Sequence, residues 1–356
     1  MATHNVPCTK KNIIHLNIPA VYVYIYTYMY FRNIYKNRMA ADRTHKKHRL
    51  VNYKGAMPMK KIKQKKRMAA VISAMIVFIL IAADIAASYY LFTTTVVRDH
   101  VSAGRAQNMT GLDQAACSDI MNELSLTLSD TKAGDVYITS FDGLSLYGQY
   151  FKSSIANGDV TRVAICFHGY TGHGGGNSSA AAMYFLNNGF DVLLPDSRSH
   201  GNSEGDHITF GCKDRFDGLS WVEYIRELYQ SEDSDGSLEI YLYGVSMGGA
   251  TVCMMSGLEL PSCVKGIISD CAFTSPKEIF FNVLKTQYHL PPAPILIPAD
   301  MMCRAAAGYS FDECNASEEV KKASVPMLFI HGTATLSSRR RCALKYTTTA
   351  FLVKTS

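Results

Sequence analysis

The sequence predicts an α/β protein: a mainly parallel sheet with helices on both faces, C-terminally incomplete and preceded by one transmembrane helix. Three observations predict it. From Asp135 onward, short β-branched and aromatic runs alternate with helical patterns, as the strands and crossover helices of a parallel sheet do. One such run, Glu239 to Tyr243, ends in Gly244-Val245-Ser246-Met247-Gly248-Gly249-Ala250 and gives way to a helical pattern from Thr251 to Leu258. An apolar run from Met68 to Phe92 follows a block of lysines and is long enough to cross a bilayer as a helix. The 356 residues leave room for one large domain plus appendages.

Charge is unevenly spread. The formal net charge is +6, yet residues 1–67 hold 16 Lys+Arg against the single acid Asp42, so the remaining 289 residues carry a net −9. A mildly acidic body argues against a nucleic-acid partner. Ten cysteines show neither Cys-x-x-Cys spacing nor a ligand cluster, so no metal or other cofactor is expected. Cys166, Cys253 and Cys271 fall in or beside apolar patterns and read as buried thiols. Outside the cytoplasm a disulfide among Cys117, Cys212, Cys303 and Cys314 is open, with no pairing readable.

In chain order, residues 1–56 form a non-native or disordered extension. The alternation Val21 to Tyr30 has the period of a strand, but all its residues are encodable by a TA-type dinucleotide repeat. That predicts translated upstream DNA, with synthesis starting at Met57 or Met59. Residues 57–67 are the basic segment, which holds the N-terminal side of the 68–92 anchor in the cytoplasm. Asp84 lies toward the outer end of the run, and Tyr89 and Tyr90 at the outer interface. A cleaved signal peptide, with Ala86-Ala87-Ser88 as the small residues, is the rival reading; the run is long for one. Either way the body is exported, here to the outer side of the cell membrane on a single-pass anchor.

Residues 93–130 read as a polar neck, and 131–334 as the folded domain. Strands are expected at Asp135 to Ser140 and Leu144 to Phe151, around the turn Phe141-Asp142-Gly143. Arg162 to Phe167 is a buried strand ending at His168-Gly169-Tyr170-Thr171-Gly172. Ala180 to Asn188 is a helix, Asp191 to Leu194 a strand, and Asp214 to Tyr229 an amphipathic helix. After the Ser246 segment come strands at Val264 to Asp270 and Met327 to Ile330. Between these last two, Pro276 to Glu318 suggests a cap, without a readable fold.

Ser246 sits where chemistry is cheapest to build. A serine in a sharp strand-to-helix turn needs neighbours without side chains, so that the backbone can double back beneath it. Its hydroxyl then stands clear of the sheet while the following helix aims N–H groups at the same point.

These features together resemble the α/β-hydrolase superfamily, with membrane-anchored bacterial serine hydrolases of the serine aminopeptidase-like kind the nearest likeness. The resemblance covers Asp135 to Ala334. It rests on His168-Gly169, the Asp-x-Arg-x-His-Gly-x-Ser loop at Asp196 to Ser203, the nucleophile elbow, Ser269-Asp270-Cys271 and His331-Gly332. It implies an α/β-hydrolase fold without a cofactor and an ester, thioester or amide substrate: a small-molecule, lipid or peptide acyl group. Ser246 would be the nucleophile. The backbone N–H groups of Met247 and Tyr170 would form the oxyanion hole. His168 fits a loop brace better than a base, and Asp196, Arg198 and His200 a structural corner better than a second centre. Asp270, at a neighbouring strand end, is a lesser candidate to orient a histidine.

The chain departs from the family after Ala334. Residues 335–356 hold no acid and no histidine, so the triad acid and base are missing. Codons such as GCG ACA CTT TCG TCC CGN encode Ala334 to Arg339; one G restored before ACA gives Ala-Asp-Thr-Phe-Val-Pro, as the family shows after His-Gly-Thr. A frameshifted tail is therefore expected, leaving the chain as written inactive. The alternative is a non-catalytic pseudoenzyme or scaffold that keeps the hydrolase fold.

Overall fold

The computed structural model describes residues 59–98, 119, 123–124, 126–128, 133–155, 159–176, 178–230 and 237–331. The readings of residues 1–56 and 335–356, most of the 93–130 neck, and Cys117 lie outside the described residues. Two compact units divide the chain at Ala86/Ala87.

Helix α1 spans Met59–Thr95. It starts nine residues earlier than the apolar run because lysine and arginine are good helix formers, so the basic block continues the helix instead of preceding it. In the first unit the apolar side chains face outward on every side, with Phe78 72% exposed. Lys66–Thr95 is long and apolar enough to cross a membrane by length and composition.

From Ala87 the same helix belongs to the second unit. Ser88, Leu91, Phe92 and Val96 are buried in its core. Val97 bridges His207, and the Arg98 guanidinium donates to the carbonyls of Ser203 and Gly201 at 2.6 Å each. The first residues of the expected neck, Thr93 to Thr95, are helical, and Val96 after them is packed in the core. Period alone could not show this, since Leu91 and Phe92 read equally well as lipid-facing.

The sheet is seven-stranded among the described residues. Its strands are β1 (Ala133–Thr139), β2 (Ser145–Phe151), β3 (Val160–Phe167), β4 (Asp191–Pro195), β5 (Ser237–Val245), β6 (Val264–Asp270) and β7 (Met327–Ile330), in the order β1-β2-β4-β3-β5-β6-β7. β1 and β2 form an antiparallel hairpin about Phe141-Asp142-Gly143, with Gly143 at φ 93° as the turn requires. β2 also runs antiparallel to β4; every other pair is parallel. The carboxyl ends of β3 to β7 therefore share one edge, where ligands of open parallel sheets bind.

Both faces are covered, so strand positions alternate between two cores. Val163, Ile165 and Phe167 of β3 join a cluster with Trp221, Val222 and Ile225 of α3 (Asp214–Gln230). Ala164 and Cys166 join another with Ala182, Phe185 and Leu186 of α2 (Ser179–Leu186). Helix α4 (Met247–Met255) has every residue buried, as its small and apolar composition demands.

The segment that gave no readable fold contains two eleven-residue helices, α5 (Pro276–Thr286) and α6 (Pro292–Met302). A π-helical turn, Cys303–Ala307, continues α6, and a short α7 (Ala316–Glu319) follows. Ser275 caps α5 by accepting from Glu278 N, and proline stands in the first turn of both helices, where no N–H is needed. Cys212, Cys303 and Cys314 are buried free thiols, so no disulfide joins them. The neighbouring Cys314 and burial push the Cys212 thiol far above its ordinary range, which makes it unreactive.

Candidate active site

Ser246 is the single residue between β5 and α4. Its backbone lies at φ 53°, ψ −107°, a sparsely populated region for a residue with a side chain, and it is exposed. The strain is held by its surroundings. Ser246 N donates to Asp270 O at 2.8 Å, tying the turn to the end of β6, and Ser246 O accepts from Ala250 N at 3.0 Å.

Three glycines make the turn possible. A Cβ on Gly244 would overlap the Gly248 carbonyl, and one on Gly248 would overlap the Phe167 carbonyl and lie 2.8 Å from His168 O. On Gly249 it would lie 2.7 Å from Asp270 O. The first turn of α4 thus packs backbone to backbone against the ends of β3 and β6. That brings the His168–Gly172 loop beside the α4 N-terminus.

Of the expected oxyanion donors, Met247 is buried in that first turn and Tyr170 is half-buried in the loop opposite. Gly172 N donates to Gly169 O at 3.0 Å and Thr171 takes φ 61°, so the loop is a closed turn. Pattern reasoning gave no hint of what holds Tyr170. Its hydroxyl donates to Thr95 O of α1 at 2.9 Å, and its ring stacks on Phe210 at 5.3 Å. Among the described residues no hydrogen bond reaches the Ser246 hydroxyl, and no group of three or more His, Cys, Asp and Glu could hold a metal.

His168 is fully buried. Its Nε2 accepts from Ser197 N at 2.9 Å, so its Nδ1 carries the proton and donates to Gly169 O at 2.7 Å. Burial, with the neighbouring His200 ring adding, holds its pKa down at about 3. It braces the loop as a neutral ring. The unfolded imidazole protonates near pH 6.5, so its contribution is complete above that value and is lost as pH falls from about 6.5 toward 3. His200 acts in the same sense; Asp217, which burial pushes up to about 7, acts in the opposite one. The difference between parent and His168→Gln isolates one proton: between pH 6 and 4 the parent is expected to lose about 1.4 kcal/mol per pH unit more than the variant. Urea unfolding across that range measures it; parallel slopes would mean a charged, solvated ring.

The Asp196–Ser203 loop is a corner. Asp196 accepts from Gly174 N at 2.7 Å and Asn202 N at 2.8 Å, and Ser203 Oγ donates to Asp196 O at 2.7 Å. Buried Arg198 bonds Asp217 of α3 and Asp142 of the hairpin turn, and covers the Phe141 ring at 5.0 Å. His200 Nδ1 donates to Arg198 O at 2.9 Å, and the ring sits edge-on to His168. Asp270, by contrast, lies at the site edge: its backbone holds Ser246, and its Oδ2 accepts from Tyr243 OH at 3.3 Å.

Ser246 is thus a strained serine in a sharp strand-to-helix turn, walled by glycines against the neighbouring strand ends. The family model described as alpha/beta hydrolase fold matches residues 163–292, from β3 through the elbow to the start of α6. The chain has the α/β-hydrolase fold. The chain is 30% identical over 194 residues to the uncharacterized protein YqkD of Bacillus subtilis (strain 168), covering 54% of this chain and 62% of the relative. It is 28% identical over 208 residues to the uncharacterized protein YfhR of Escherichia coli (strain K12), covering 57% and 63%. The chain thus spans about three fifths of these curated relatives. Among solved structures, the Pyrococcus furiosus esterase Pf2001 shares 19% identity at a TM-score of 0.49, covering 64% of this chain and 78% of the esterase. An acylaminoacyl peptidase from Pyrococcus horikoshii shares 16% at 0.43, covering 63% and 36%.

Proposed function

We propose that this α/β-hydrolase is the exported, membrane-anchored domain of a serine hydrolase that cleaves an ester, thioester or amide through an acyl-serine. The observation that carries the reading is the exposed, strained Ser246 at the α4 N-terminus. Its hydroxyl would attack the acyl carbonyl, with the Met247 and Tyr170 N–H groups receiving the oxyanion. Collapse would break the bond to the alcohol, thiol or amine, which leaves with a proton, and water would then hydrolyse the acyl-enzyme to release the acid and free Ser246. Helix α1 would carry the chain through the membrane, its lysine-rich end cytoplasmic. The substrate would be a small-molecule, lipid or peptide acyl group.

The attack needs a base, and residues 335–356 contain neither acid nor histidine. The frameshifted-tail reading accounts for that. Two exposed apolar side chains on β7, the edge strand among the described residues, Leu328 and Ile330, support it, since they are what a further strand and helix would cover. The same tail supports a second reading, a pseudoenzyme that keeps the fold.

A fluorophosphonate probe tests both. With one base restored at codon 334, the full chain is expected to label, and Ser246→Ala to abolish the label. The chain as written is expected to react slower by on the order of 10⁴-fold or more, the usual consequence of losing the base. A restored chain that stays unlabelled would sink the hydrolase reading. Equal rates with and without restoration would sink the missing-triad reading.

A further inference from the structure

Helix α6 has the wrong surface for water. Ala293, Ile297 and Met301 lie four residues apart on one face and are exposed, Ile297 by 64% and Met301 by 65%. The opposite face, Ile295, Leu296 and Ala299, is buried in the core. The only charged residue on the helix, Asp300, is occupied: it accepts from Phe311 N at 2.6 Å, from Ser310 Oγ at 3.0 Å and from Arg304 Nε at 2.8 Å. A helix apolar on all sides belongs in a core or in lipid. On the neighbouring helix, Phe281 adds an exposed ring, with the Lys285 ammonium 5.8 Å above it.

What covers this face is indicated by what it is joined to. Ser88 Oγ donates to Ile295 O at 2.9 Å, so the first turn of α6 is bonded to α1 within the apolar stretch Lys66–Thr95. Leu91 and Phe92, one turn further along α1, lie in the same core cluster as Ile295, Leu296 and Ala299. Tyr89 and Tyr90 beside them are exposed, as aromatic side chains at a membrane–water interface are. The turn of α1 that carries the exposed tyrosines is therefore the one that packs against α6.

We propose that α6 is a second membrane contact: its Ala293/Ile297/Met301 face lies in the outer interface of the bilayer that α1 crosses. The inference rests on the reading of α1 as a membrane span. An interfacial helix seats its apolar face about 5–10 Å into the boundary between headgroups and acyl chains. The Lys285 ammonium would then meet headgroup phosphates while Phe281 enters with α6.

Tryptophan quenching by brominated lipids in vesicles of phosphatidylethanolamine and phosphatidylglycerol tests this on the full chain. The chain has one tryptophan, Trp221, buried at 1% exposure, which supplies a constant background. Ile297→Trp is expected to add emission that is lost when bromines sit high on the acyl chain. Phe78→Trp in α1 should be quenched by bromines deep on the chain, and Tyr184→Trp, exposed on α2, by neither. If Phe78→Trp is quenched and Ile297→Trp is not, the span stands and the α6 contact is overturned. A face buried instead by a second copy gives that same result together with concentration-dependent association. If Phe78→Trp escapes quenching, the span reading fails and the α6 contact with it. Quenching of Tyr184→Trp to the same extent would show adsorption without a defined face, and also overturns the proposal.

Discussion

Arg198→Met is expected to cost about 3–5 kcal/mol of stability, the range for removing one partner of a buried ion pair. Arg198 is 3% exposed and reaches α3 and the hairpin turn at once. Its Nε and Nη2 donate to the two oxygens of Asp217, both at 2.6 Å, and its Nη1 and Nη2 donate to Asp142 at 2.9 and 3.0 Å. Asp142, 31% exposed, can turn to water when the guanidinium goes. Asp217, 5% exposed, cannot. The cost is therefore the stranded Asp217 carboxylate far more than the lost contacts, because a methionine fills most of the same volume.

Two corollaries separate this account from plain loss of packing. Burial already pushes the Asp217 carboxyl up to about 7, and without Arg198 it rises further. A carboxyl raised in the folded state favours folding at low pH and loses that advantage as pH rises through the folded value. The deficit of Arg198→Met should accordingly shrink as pH is lowered toward about 7 and stay level below it, where the carboxyl is protonated in both folded chains. The double variant Arg198→Met/Asp217→Asn should recover part of the loss at neutral pH. Thermal unfolding of the full chain in detergent reads both, with a single-variant shift of roughly 10 °C expected for a domain of this size. A shift under about 2 °C would mean that Arg198 is solvated, and the corner account would fall.

The sheet was legible because its central strands are buried on both faces and its first two pair in a hairpin, and such strands carry their identity locally. Val264–Asp270 and Met327–Ile330 match the apolar runs residue for residue. Helix α4 was read late, from Thr251, although it begins at Met247. Gly248 and Gly249 look like helix breakers in a sequence; they are in the helix because of carbonyls belonging to β3 and β6, which are distant in sequence. Helix α6 was hidden by its prolines, which read as loop: one stands at the start of the helix, where no N–H is needed, but Pro298 lies inside it.

At the candidate site, Ser246 was singled out because Gly-x-Ser-x-Gly is a contiguous motif. The support of Tyr170 was not, since the bond to Thr95 O joins residues 75 apart that no pattern connects. The role of Asp196 as a corner was suggested by its Gly and Ser neighbours, but only coordinates show both carboxylate oxygens taken by Gly174 N and Asn202 N.

Gly248→Ala sets two physical effects against each other, and the outcome has opposite sign for each. Helix propensity alone favours alanine over glycine inside a helix by about 1 kcal/mol. Sterics oppose it: the new Cβ would overlap the Phe167 carbonyl oxygen and stand 2.8 Å from that of His168, and both are backbone atoms that no rotamer change can move. Gly248 has an ordinary helical φ, so close approach is the whole of its requirement. Overpacking against movable side chains costs about 1–3 kcal/mol, and a rigid carbonyl should place this site at or above the top of that range. The net expectation is destabilisation by about 2 kcal/mol or more after the propensity gain. In any molecules that fold, α4 must draw back from β3, carrying the Met247 N–H away from the Tyr170 loop. Fluorophosphonate labelling of the frame-restored chain should then slow by on the order of 10²-fold, the usual penalty for a displacement of about 1 Å. Gly134→Ala on β1, where a Cβ meets nothing within 4 Å, is the control and should leave labelling unchanged. A Gly248→Ala chain as stable as its parent would mean that α4 and β3 do not touch here, and the elbow geometry would have to be redrawn.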